Sequence, residues 1–549
     1  MKKRVFESVT ITVFLLVLFI GAKADVEDEK EVKQFTAFFA QSGTELDENN
    51  EIKKLIAEKI GAECKEIWLN YQNEESALNS YIASGEYPDF ITGRLELYEA
   101  DALIPIDEYW EDYPNIRNYL SEEEWEQFRL EDGHIYWMPQ FGVVHGKQND
   151  VIHYGEAFWI QTRVLKWAGY PKIRTMDQYF DLIEAYMAAN PVMENGTPNI
   201  PYTILWDKDR FFCMENAPQF LDGYPNDGSC MVDPDALKVM DYNVTPTAKA
   251  YFAKLNEEYH KGIVDPESFT DTYTEYIEKL STGAVLGMID QWWDFGYELY
   301  APYSRQHLHE QGCEYVPLPV TIDETIPNQW HVTRGNELDC SMGVSITVSC
   351  KDIPGAMQFL NDMLEEEIQI LRFWGIEGVD YSVNEDGEFY RTAEQRQRVS
   401  DVQLKASHFC VYSYFPRVEG FLPDGINSFS PESQKSEFWD ALSEPMKECL
   451  AAYGCETYVD MVGDNEKPGA WYPMYSYSGM LTNSTEAGIA WSNMNETKYT
   501  WLPQVVMSED FEATWAEYMN AYEACEPEKF FADMQQELER RIALAEGKK

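Results

Sequence analysis

The most constraining feature of the sequence is an alternation of strand and helix signals near its start. Residues 34–40 are apolar and β-prone, and residues 52–60 follow with apolar side chains at helical spacing. A second strand is predicted over 64–69, a second helix over 74–84 and a third strand over 87–91. This β-α-β-α-β order places the strands side by side in a parallel sheet, so the sequence predicts an α/β fold.

The alternation continues well beyond this unit. Thr175 opens a helix with a capping box, and β-prone and helical runs follow one another through residue 375. Two later stretches, 419–436 and 463–501, are rich in turn-forming and polar residues, which predicts long surface loops. Apolar and aromatic residues return at helical spacing over 508–545, so extra helices are predicted towards the C-terminus.

The N-terminal segment has the layout of a secretory signal. Three cations at positions 2 to 4 precede an apolar run over 9–20, and small residues follow at Ala22-Lys23-Ala24. The run is shorter than the roughly 20 apolar residues that span a bilayer. We therefore predict a signal peptide over 1–24 and an exported protein, with an uncleaved anchor as the alternative. The remaining 525 of 549 residues exceed what one core usually organises, which predicts two lobes or domains.

Charge and cysteine content narrow the classes of partner and site. A formal net charge of −53 repels phosphate backbones and anionic lipid, which argues against nucleic-acid and membrane-surface partners, and solubility is its simplest role. The ten cysteines include no C-x-x-C pair, so a zinc site is not indicated. We interpret them first as buried thiols and second as disulfides, which export permits. No metal or cofactor is predicted.

Aromatic residues are the compositional feature that bears most on function. The chain contains 16 Trp, 35 Tyr and 28 Phe. Rings beside acidic and amide groups suit a carbohydrate, because a sugar offers C–H patches for stacking and hydroxyls for hydrogen bonds. Most rings in such a chain belong to the core, so only rings clustered beside polar groups are candidates for a site.

Six short stretches carry a family pattern in order along the chain. Residues 132–139 have the sequence D-G-x-I-Y-x-x-P, and the other stretches are 85–89, 158–171, 175–179, 287–293 and 374–381. In these stretches the chain resembles the extracellular solute-binding proteins of ABC importers, specifically the large type similar to lipoprotein and alginate-oligosaccharide binders. The likeness covers roughly residues 32 to 545.

The resemblance implies a two-lobed, periplasmic-binding-protein-like fold of type II, each lobe a mostly parallel sheet flanked by helices, with extra C-terminal helices. Lobe 1 is expected over 28–142 plus 318–375, and lobe 2 over 143–317 plus 376–549, joined by hinge crossings. The implied function is capture of an oligosaccharide between the lobes and its delivery to the membrane permease of an ABC importer. A monomer at the cell surface, in the periplasm or outside the cell is expected, without catalytic residues.

Two departures from the family pattern matter. Many members carry a lipid-modified cysteine at the end of the signal, but the first cysteine here is Cys64, which leaves lipid attachment in doubt. Alginate-oligosaccharide binders hold calcium in an acidic loop, and the matching stretch here is 190–201. Calcium requires six or more oxygen ligands, and Glu194 is the only carboxylate in this stretch, so we predict no calcium there.

The strand ends supply the first candidate site residues. Asp290, Trp292 and Trp293 follow an apolar strand, the position at which α/β sheets place ligands, and a ring pair beside a carboxylate suits a sugar. The alternative is that these rings pack beneath a loop. Asp89 is a further candidate because the predicted strand 87–91 ends near it, and its alternative is an N-cap or turn role.

The predicted crossings and an aromatic loop supply the remaining candidates. These are Tyr136, Trp137 and Gln140 at the first crossing, Trp374 and Glu377 at the later crossing, and Tyr414 and Arg417 in the loop. Packing within the hinge or within one lobe is the alternative for each of them.

Two other functions remain open at the level of sequence. An exported glycoside hydrolase needs paired carboxylates, but with 96 acidic residues some pair always exists, so that signal carries little information. A peptide-binding protein of similar size and fold is the second alternative. The eight histidines form no H-E-x-x-H motif or similar spacing, and no nucleophile constellation is present.

Overall fold

The computed structural model describes residues 32–41, 43, 45–69, 74–145, 149–208, 210–225, 229–333, 338–463 and 468–547. The predicted signal peptide over 1–24 lies outside these residues. Within the described ranges, no helix combines the length and the apolar character needed to cross a membrane.

Strands and helices alternate through most of the chain. The strands are β1 (Lys33–Phe39), β2 (Ala62–Trp68), β3 (Phe90–Gly93), β4 (Glu156–Gln161), β5 (Ile200–Thr203), β6 (Met231–Asp233), β7 (Lys238–Met240), β8 (Val285–Gln291), β9 (Tyr315–Leu318), β10 (Gly343–Ile346), β11 (Ser382–Val383) and β12 (Phe389–Tyr390). The helices between β1 and β9 are α1 (Glu51–Ile60), α2 (Glu74–Ser84), α3 (Leu95–Glu99), α4 (Pro114–Arg117), α5 (Glu122–Gln127), α6 (Thr162–Trp167), α7 (Met176–Ala189), α8 (Phe212–Leu221), α9 (Pro246–His260), α10 (Tyr273–Ser281) and α11 (Trp292–Gln306). The later helices are α12 (Ile353–Asp362), α13 (Glu366–Phe373), α14 (Ala393–Val399), α15 (Val402–His408), α16 (Lys435–Ala441), α17 (Glu444–Tyr453), α18 (Tyr458–Val462), α19 (Tyr475–Ser478), α20 (Glu486–Met507), α21 (Phe511–Glu523) and α22 (Pro527–Ala545).

The predicted β-α-β-α-β unit is present. β1 pairs in parallel with β2, from Lys33 opposite Ala62 to Phe39 opposite Trp68, and pairs in parallel with β3 on its other side. Helix α1 ends at Gly61, whose φ of 71° lies in the left-handed region and lets the chain turn directly into β2.

Each of the two main sheets contains one strand that runs against the other three. The sheet of lobe 1 has the order β10-β3-β1-β2, with β10 antiparallel to β3. The sheet of lobe 2 has the order β5-β8-β4-β9, with β4 antiparallel to both neighbours and β5 parallel to β8. Strand β4 is the first strand of the lobe 2 sheet, and β10 is the strand added to the lobe 1 sheet when the chain returns to that lobe. Both sheets are therefore mixed, although we predicted mostly parallel sheets.

Two separate hydrophobic cores lie around the two sheets. The segment after the later crossing packs with the core of lobe 1, although we predicted it within lobe 2 over 376–549: Cys410, Tyr412 and Phe415 are buried there. The reason is Arg372, whose buried guanidinium donates hydrogen bonds to the carbonyls of residues 411, 412, 415 and 416. Burial lowers the pKa of Arg372 to about 10. The other lobe boundaries stay a prediction.

The C-terminal helices were predicted in part. Helices α21 and α22 lie within the predicted helical range 508–545, but a long helix, α20, occupies much of the range 463–501 that we predicted as loop. The tyrosines and asparagines of the range 463–501 obscured an inward face on which Ala490, Met494 and Leu502 are buried in the core of lobe 2. Burial of that face outweighs the weak helix propensity of the polar residues.

A buried ion pair fixes α20 to lobe 2. The Nζ atom of Lys498 lies 3.0 Å from Oε2 of Glu215 on α8, and the hydroxyl of Tyr242 donates a 2.8 Å hydrogen bond to the same oxygen. Burial raises the pKa of Glu215, and the cation of Lys498 counteracts part of that rise. Removal of either charge leaves the other buried without its partner.

The cysteines support the first interpretation made from the sequence. Among the described residues all ten are thiols rather than disulfides, and nine of them are buried. Burial raises the pKa of the Cys340 thiol to about 12, which makes it a poor nucleophile.

Candidate functional site

Helix α11 presents an aromatic face to solvent at the carboxyl end of β8. Trp293, Tyr297 and Tyr300 follow one another at spacings of four and three residues, so they share one side of the helix. Their exposed fractions are 42%, 42% and 43%, although side chains of this size are ordinarily buried. The opposite side of α11 carries Phe295 and Leu299, which pack in the core of lobe 2.

Lobe 1 supplies a second aromatic wall. Tyr414 contacts Trp68, the last residue of β2, with ring centroids 5.6 Å apart, and also contacts Phe39 at the end of β1. Phe141, an exposed ring on the first crossing, lies 5.7 Å from Tyr414. These rings lie at the carboxyl ends of the parallel strands, the edge at which α/β sheets place ligands.

Arg210 brings the two walls together. The guanidinium forms an ion pair with Asp294 of α11 and lies over the ring of Tyr273, 4.1 Å from its centroid. Its Nη2 atom lies 3.4 Å from the side-chain oxygen of Gln41 in lobe 1, a long hydrogen bond between the lobes. Trp293 is a further neighbour, with 5.8 Å between the guanidinium carbon and the ring centroid. We call the space between the walls the cleft.

Charged groups on both sides of the cleft affect the pKa of the Tyr414 hydroxyl. Burial raises the pKa of this hydroxyl, while the cations Arg210 of lobe 2 and Arg417 of lobe 1 lower it. The carboxylates of Glu74 and Glu298, one from each lobe, act in the raising direction. Charged groups of both lobes therefore lie within electrostatic range of one ring.

Arg417 lies at the base of the cleft in a neutralising pair. Its Nε and Nη2 atoms donate hydrogen bonds of 3.0 and 2.9 Å to Oε1 of Glu419, and the guanidinium lies 4.8 Å from the centroid of Phe141. Burial lowers the pKa of Arg417, but the carboxylate of Glu419 and the nearby hydroxyls of Tyr297 and Tyr154 together outweigh that effect and leave the pKa raised.

Glu432 faces the aromatic face of α11. The hydroxyls of Tyr154 and Tyr297 each donate a hydrogen bond of 3.1 Å to its Oε2 atom. The surrounding protein raises the pKa of the Tyr297 and Tyr300 hydroxyls well above the ordinary value, and the charge of Glu432 adds to this effect. These tyrosines therefore lie in a groove, accessible to solvent yet flanked by protein.

Three of the predicted site residues line the cleft. Trp293 lies on the wall of lobe 2, and Tyr414 and Arg417 lie on the wall of lobe 1. Their contact with a solute stays a prediction.

Asp290 and Trp292 lie beneath the cleft surface. For Trp292 this agrees with the alternative that the ring serves packing. Asp290 is fully buried, accepts a 2.6 Å hydrogen bond from the hydroxyl of Tyr276, and has a pKa raised by burial to about 7. Trp292 is buried against Tyr154 and Tyr297, with ring centroids 5.2 and 4.8 Å apart. The start of α11 keeps these two side chains away from the cleft surface, because it points Trp293 outwards and Trp292 into the core.

The residues at the first crossing make their contacts within lobe 1. Gln140 is buried and donates a 2.5 Å hydrogen bond to the backbone carbonyl of Tyr414, so it positions that ring rather than facing the cleft. Trp137 is buried and donates to the carbonyl of Cys340 at 3.0 Å. Tyr136 donates its hydroxyl to Asp132, at 2.5 Å.

Asp89 lies at the edge of the sheet opposite to the cleft. It precedes β3 rather than ending it, and its Oδ2 atom accepts hydrogen bonds from the backbone N and the hydroxyl of Thr36, at 2.8 and 2.9 Å. Asp89 therefore joins the start of β3 to β1, a role within the sheet that differs from both the site prediction and the N-cap or turn alternative.

The residues at the later crossing also lie apart from the cleft. Trp374 is fully buried and donates to the carbonyl of Ser428 at 2.9 Å, while Glu377 is exposed in a turn that pairs with Tyr381.

Several residues of the cleft were not predicted from the sequence. They are Trp68, Phe141, Arg210, Tyr297 and Tyr300. The spacing of Tyr297 and Tyr300 after Trp293 was a usable signal, because a helix that follows a strand end places these three rings on one face. No local pattern marks Arg210, whose role depends on residues from two lobes.

The loop that corresponds to the family's calcium site has a donor set that does not fit calcium. A guanidinium nitrogen of Arg163 donates a 3.0 Å hydrogen bond to Oδ1 of Asn199, and the Asn199 amide donates to the carbonyl of Asn190 at 2.8 Å. A fixed cation at one of the few side-chain oxygens repels a divalent ion. The prediction of no calcium at 190–201 is therefore retained.

Comparison with known proteins supports the fold. No protein-family model matches the chain. The chain is 22% identical over 387 residues to the fructooligosaccharide ABC transporter substrate-binding protein FusA of Streptococcus pneumoniae, and the match spans 66% of each protein, just under two thirds.

Solved structures extend the likeness over nearly the whole chain. FusA in complex with kestose superposes with a TM-score of 0.65 at 16% identity, covering 93% of this chain and 100% of that chain. The alginate-binding protein AlgQ2 gives a TM-score of 0.62 at 14% identity, covering 93% and 98%. The N-glycan transport solute-binding protein NgtS of Streptococcus pneumoniae, in complex with Man5GlcNAc, gives 0.54 at 14% identity, covering 92% and 98%. The predicted resemblance and the two-lobed α/β fold class are confirmed.

Proposed function

We propose that this protein is the exported solute-binding component of an ABC importer, and that it captures an oligosaccharide between its lobes. The observation that carries the proposal is the cleft itself, in which aromatic side chains of both lobes lie around Arg210 and the charges paired beside it. The likeness to sugar-binding relatives supports the same function. Delivery to a membrane permease, export and a monomeric state belong to the proposal.

The two walls offer complementary contacts for a sugar. Trp293 and Tyr414 supply flat faces for the C–H patches of sugar rings, while Arg210 and Glu432 supply hydrogen-bond donors and acceptors for hydroxyls. Because these groups belong to different lobes, a ligand that touches both walls stabilises the closed arrangement by its differential affinity for it. Such a closed form is what a permease would distinguish from the empty protein.

The absence of catalysis is part of the proposal. A glycosidase needs a proton donor and a second carboxylate on either side of the scissile bond. Asp290 has a raised pKa suited to proton transfer, but its carboxyl is buried beneath α11 and held by Tyr276. Glu419 and Asp294 are each engaged by a guanidinium. These three carboxylates are therefore not placed to act on a glycosidic bond, and the two cleft carboxylates without an ion pair among the described residues, Glu298 and Glu432, make incubation with the bound sugar the deciding test of turnover.

Calorimetric titration of the purified protein against oligosaccharides and peptides of matched length tests the proposal. We expect saturable binding of an oligosaccharide and none of the peptides. Prolonged incubation with the bound sugar is expected to yield no new reducing ends, and turnover would establish a hydrolase instead. The mass of the mature N-terminus checks the predicted cleavage after Ala24.

A further inference from the structure

We infer that the cleft selects uncharged oligosaccharides and rejects those that carry carboxylates, such as oligouronates. This inference rests on the proposed function and concerns the class of ligand. Its basis is the way in which the charges of the cleft are paired among the described residues.

Within the described parts of the chain, three guanidinium groups of the cleft are each already neutralised by a carboxylate of their own lobe. Arg210 pairs with Asp294 in lobe 2, and Arg417 pairs with Glu419 in lobe 1 through two nitrogens. At the end of β3, Arg94 forms an ion pair with Glu74, whose charge reaches Tyr414.

These pairs are held in place by their surroundings. The carboxylate of Asp294 is buried, and the face of Tyr273 lies against the guanidinium of Arg210. A ligand carboxylate that recruited either arginine would have to compete with a carboxylate fixed by the fold, and that carboxylate would remain nearby as a repelling charge.

Two further carboxylates, Glu432 and Glu298, add negative charge to the cleft. Glu432 accepts hydrogen bonds from the hydroxyls of Tyr154 and Tyr297, and no ion pair of Glu432 or Glu298 occurs within the described parts of the chain. Glu298 acts on both Tyr273 and Tyr414, so its charge reaches both walls. Among the residues that the structure describes, the cleft thus holds three guanidinium groups against five carboxylates.

Neutral hydroxyls fit this arrangement. Each paired guanidinium retains N–H groups that can donate to a hydroxyl, and Glu432 can accept from one. The rings of α11 stack on sugar faces whatever the charge of the ligand. A carboxylate on the sugar gains no unpaired cation and faces the charges of Glu432 and Glu298, which raises the free energy of its complex.

The test compares neutral and uronate oligosaccharides of equal length by calorimetric titration of the full-length protein. We expect the neutral series to bind with a Kd that changes by less than about twofold between low and high salt, and the uronate series to bind roughly tenfold more weakly or worse. High salt should narrow the difference because it screens the repulsion.

Glu298→Gln provides the matched variant, with Glu194→Gln, an exposed carboxylate outside the cleft, as its control. The ratio of uronate to neutral Kd should fall several-fold in Glu298→Gln and stay constant in Glu194→Gln. Uronates that bind as tightly as neutral sugars, or more tightly, would overturn the inference and leave the proposed function intact. Binding of neither series would overturn the proposed function, and this inference with it.

Discussion

Replacement of Trp293 by alanine gives the most direct check on the cleft. The side chain has 42% of its surface exposed. A tryptophan offers up to ~250 Å² of surface, so about 100 Å² is available to a ligand. At roughly 25 cal/mol per Å², complete coverage contributes ~2.5 kcal/mol, and coverage of one ring face about half of that. We therefore expect Trp293→Ala to weaken oligosaccharide binding by about 10- to 60-fold.

Trp167→Ala is the matched control for this experiment. Trp167 has 47% of its surface exposed and lies in the same lobe, just after the end of β4. Because β4 runs antiparallel to β8, that end lies at the edge of the sheet opposite to Trp293. Calorimetric titration should give an unchanged Kd for Trp167→Ala. An unchanged Kd for Trp293→Ala, or equal losses in both variants, would refute the assignment of the cleft.

Three further predictions concern stability. Lys498→Met should destabilise the protein by about 3–5 kcal/mol at pH 7.5 in urea unfolding, because Glu215 is left buried without its cation. The loss of stability should be smaller at pH 5, because burial raises the pKa of Glu215 and a protonated carboxyl needs no cation. Adding Glu215→Gln to Lys498→Met should recover part of the lost stability. Burial raises the pKa of Asp290 in the folded state to about 7, whereas an Asp carboxyl in the unfolded chain has a pKa of about 3.9. Between these two pH values the folded state holds a proton that the unfolded state has released, so this group makes the stability of the fold decrease as pH rises. Asp290→Asn should remove that slope, and an unchanged slope between pH 4.5 and 7 would contradict the assignment. Because Arg163 occupies an oxygen of the 190–201 loop, millimolar calcium or EDTA should shift Tm by less than about 1 °C, and a calcium-dependent rise would show that the loop binds the ion.

Local signals in the sequence predicted the elements of the fold well where they agree with the packing. The capping box at Thr175, for example, lies at the observed start of α7. Helix α20 escaped prediction because its polar residues mask an inward face that only the packed lobe reveals. The segment that contains Cys410 was placed in the wrong lobe because its position depends on Arg372, more than 30 residues earlier in the chain.

The site was harder to predict than the fold. Strand ends pointed to the edge of the sheet at which the candidate cleft lies, yet a difference of one residue separates the exposed Trp293 from the buried Trp292. Periodicity settles that choice only when the start of α11 is known. Arg210 joins groups of two lobes, and its significance arises from contacts between residues far apart in sequence.

The reversed strand β10 has a consequence for the order in which the protein folds. Its partner in lobe 1 is β3, and the pair sets Gly343 opposite Gly93, 250 residues earlier. The sheet of lobe 1 therefore stays open along β3 until most of lobe 2 has been synthesised. Pairing over such a separation forms late, because a long loop must close before the contact contributes. A chain that completes its first sheet late in this way stays unfolded for longer. Passage through an export channel requires an unfolded chain.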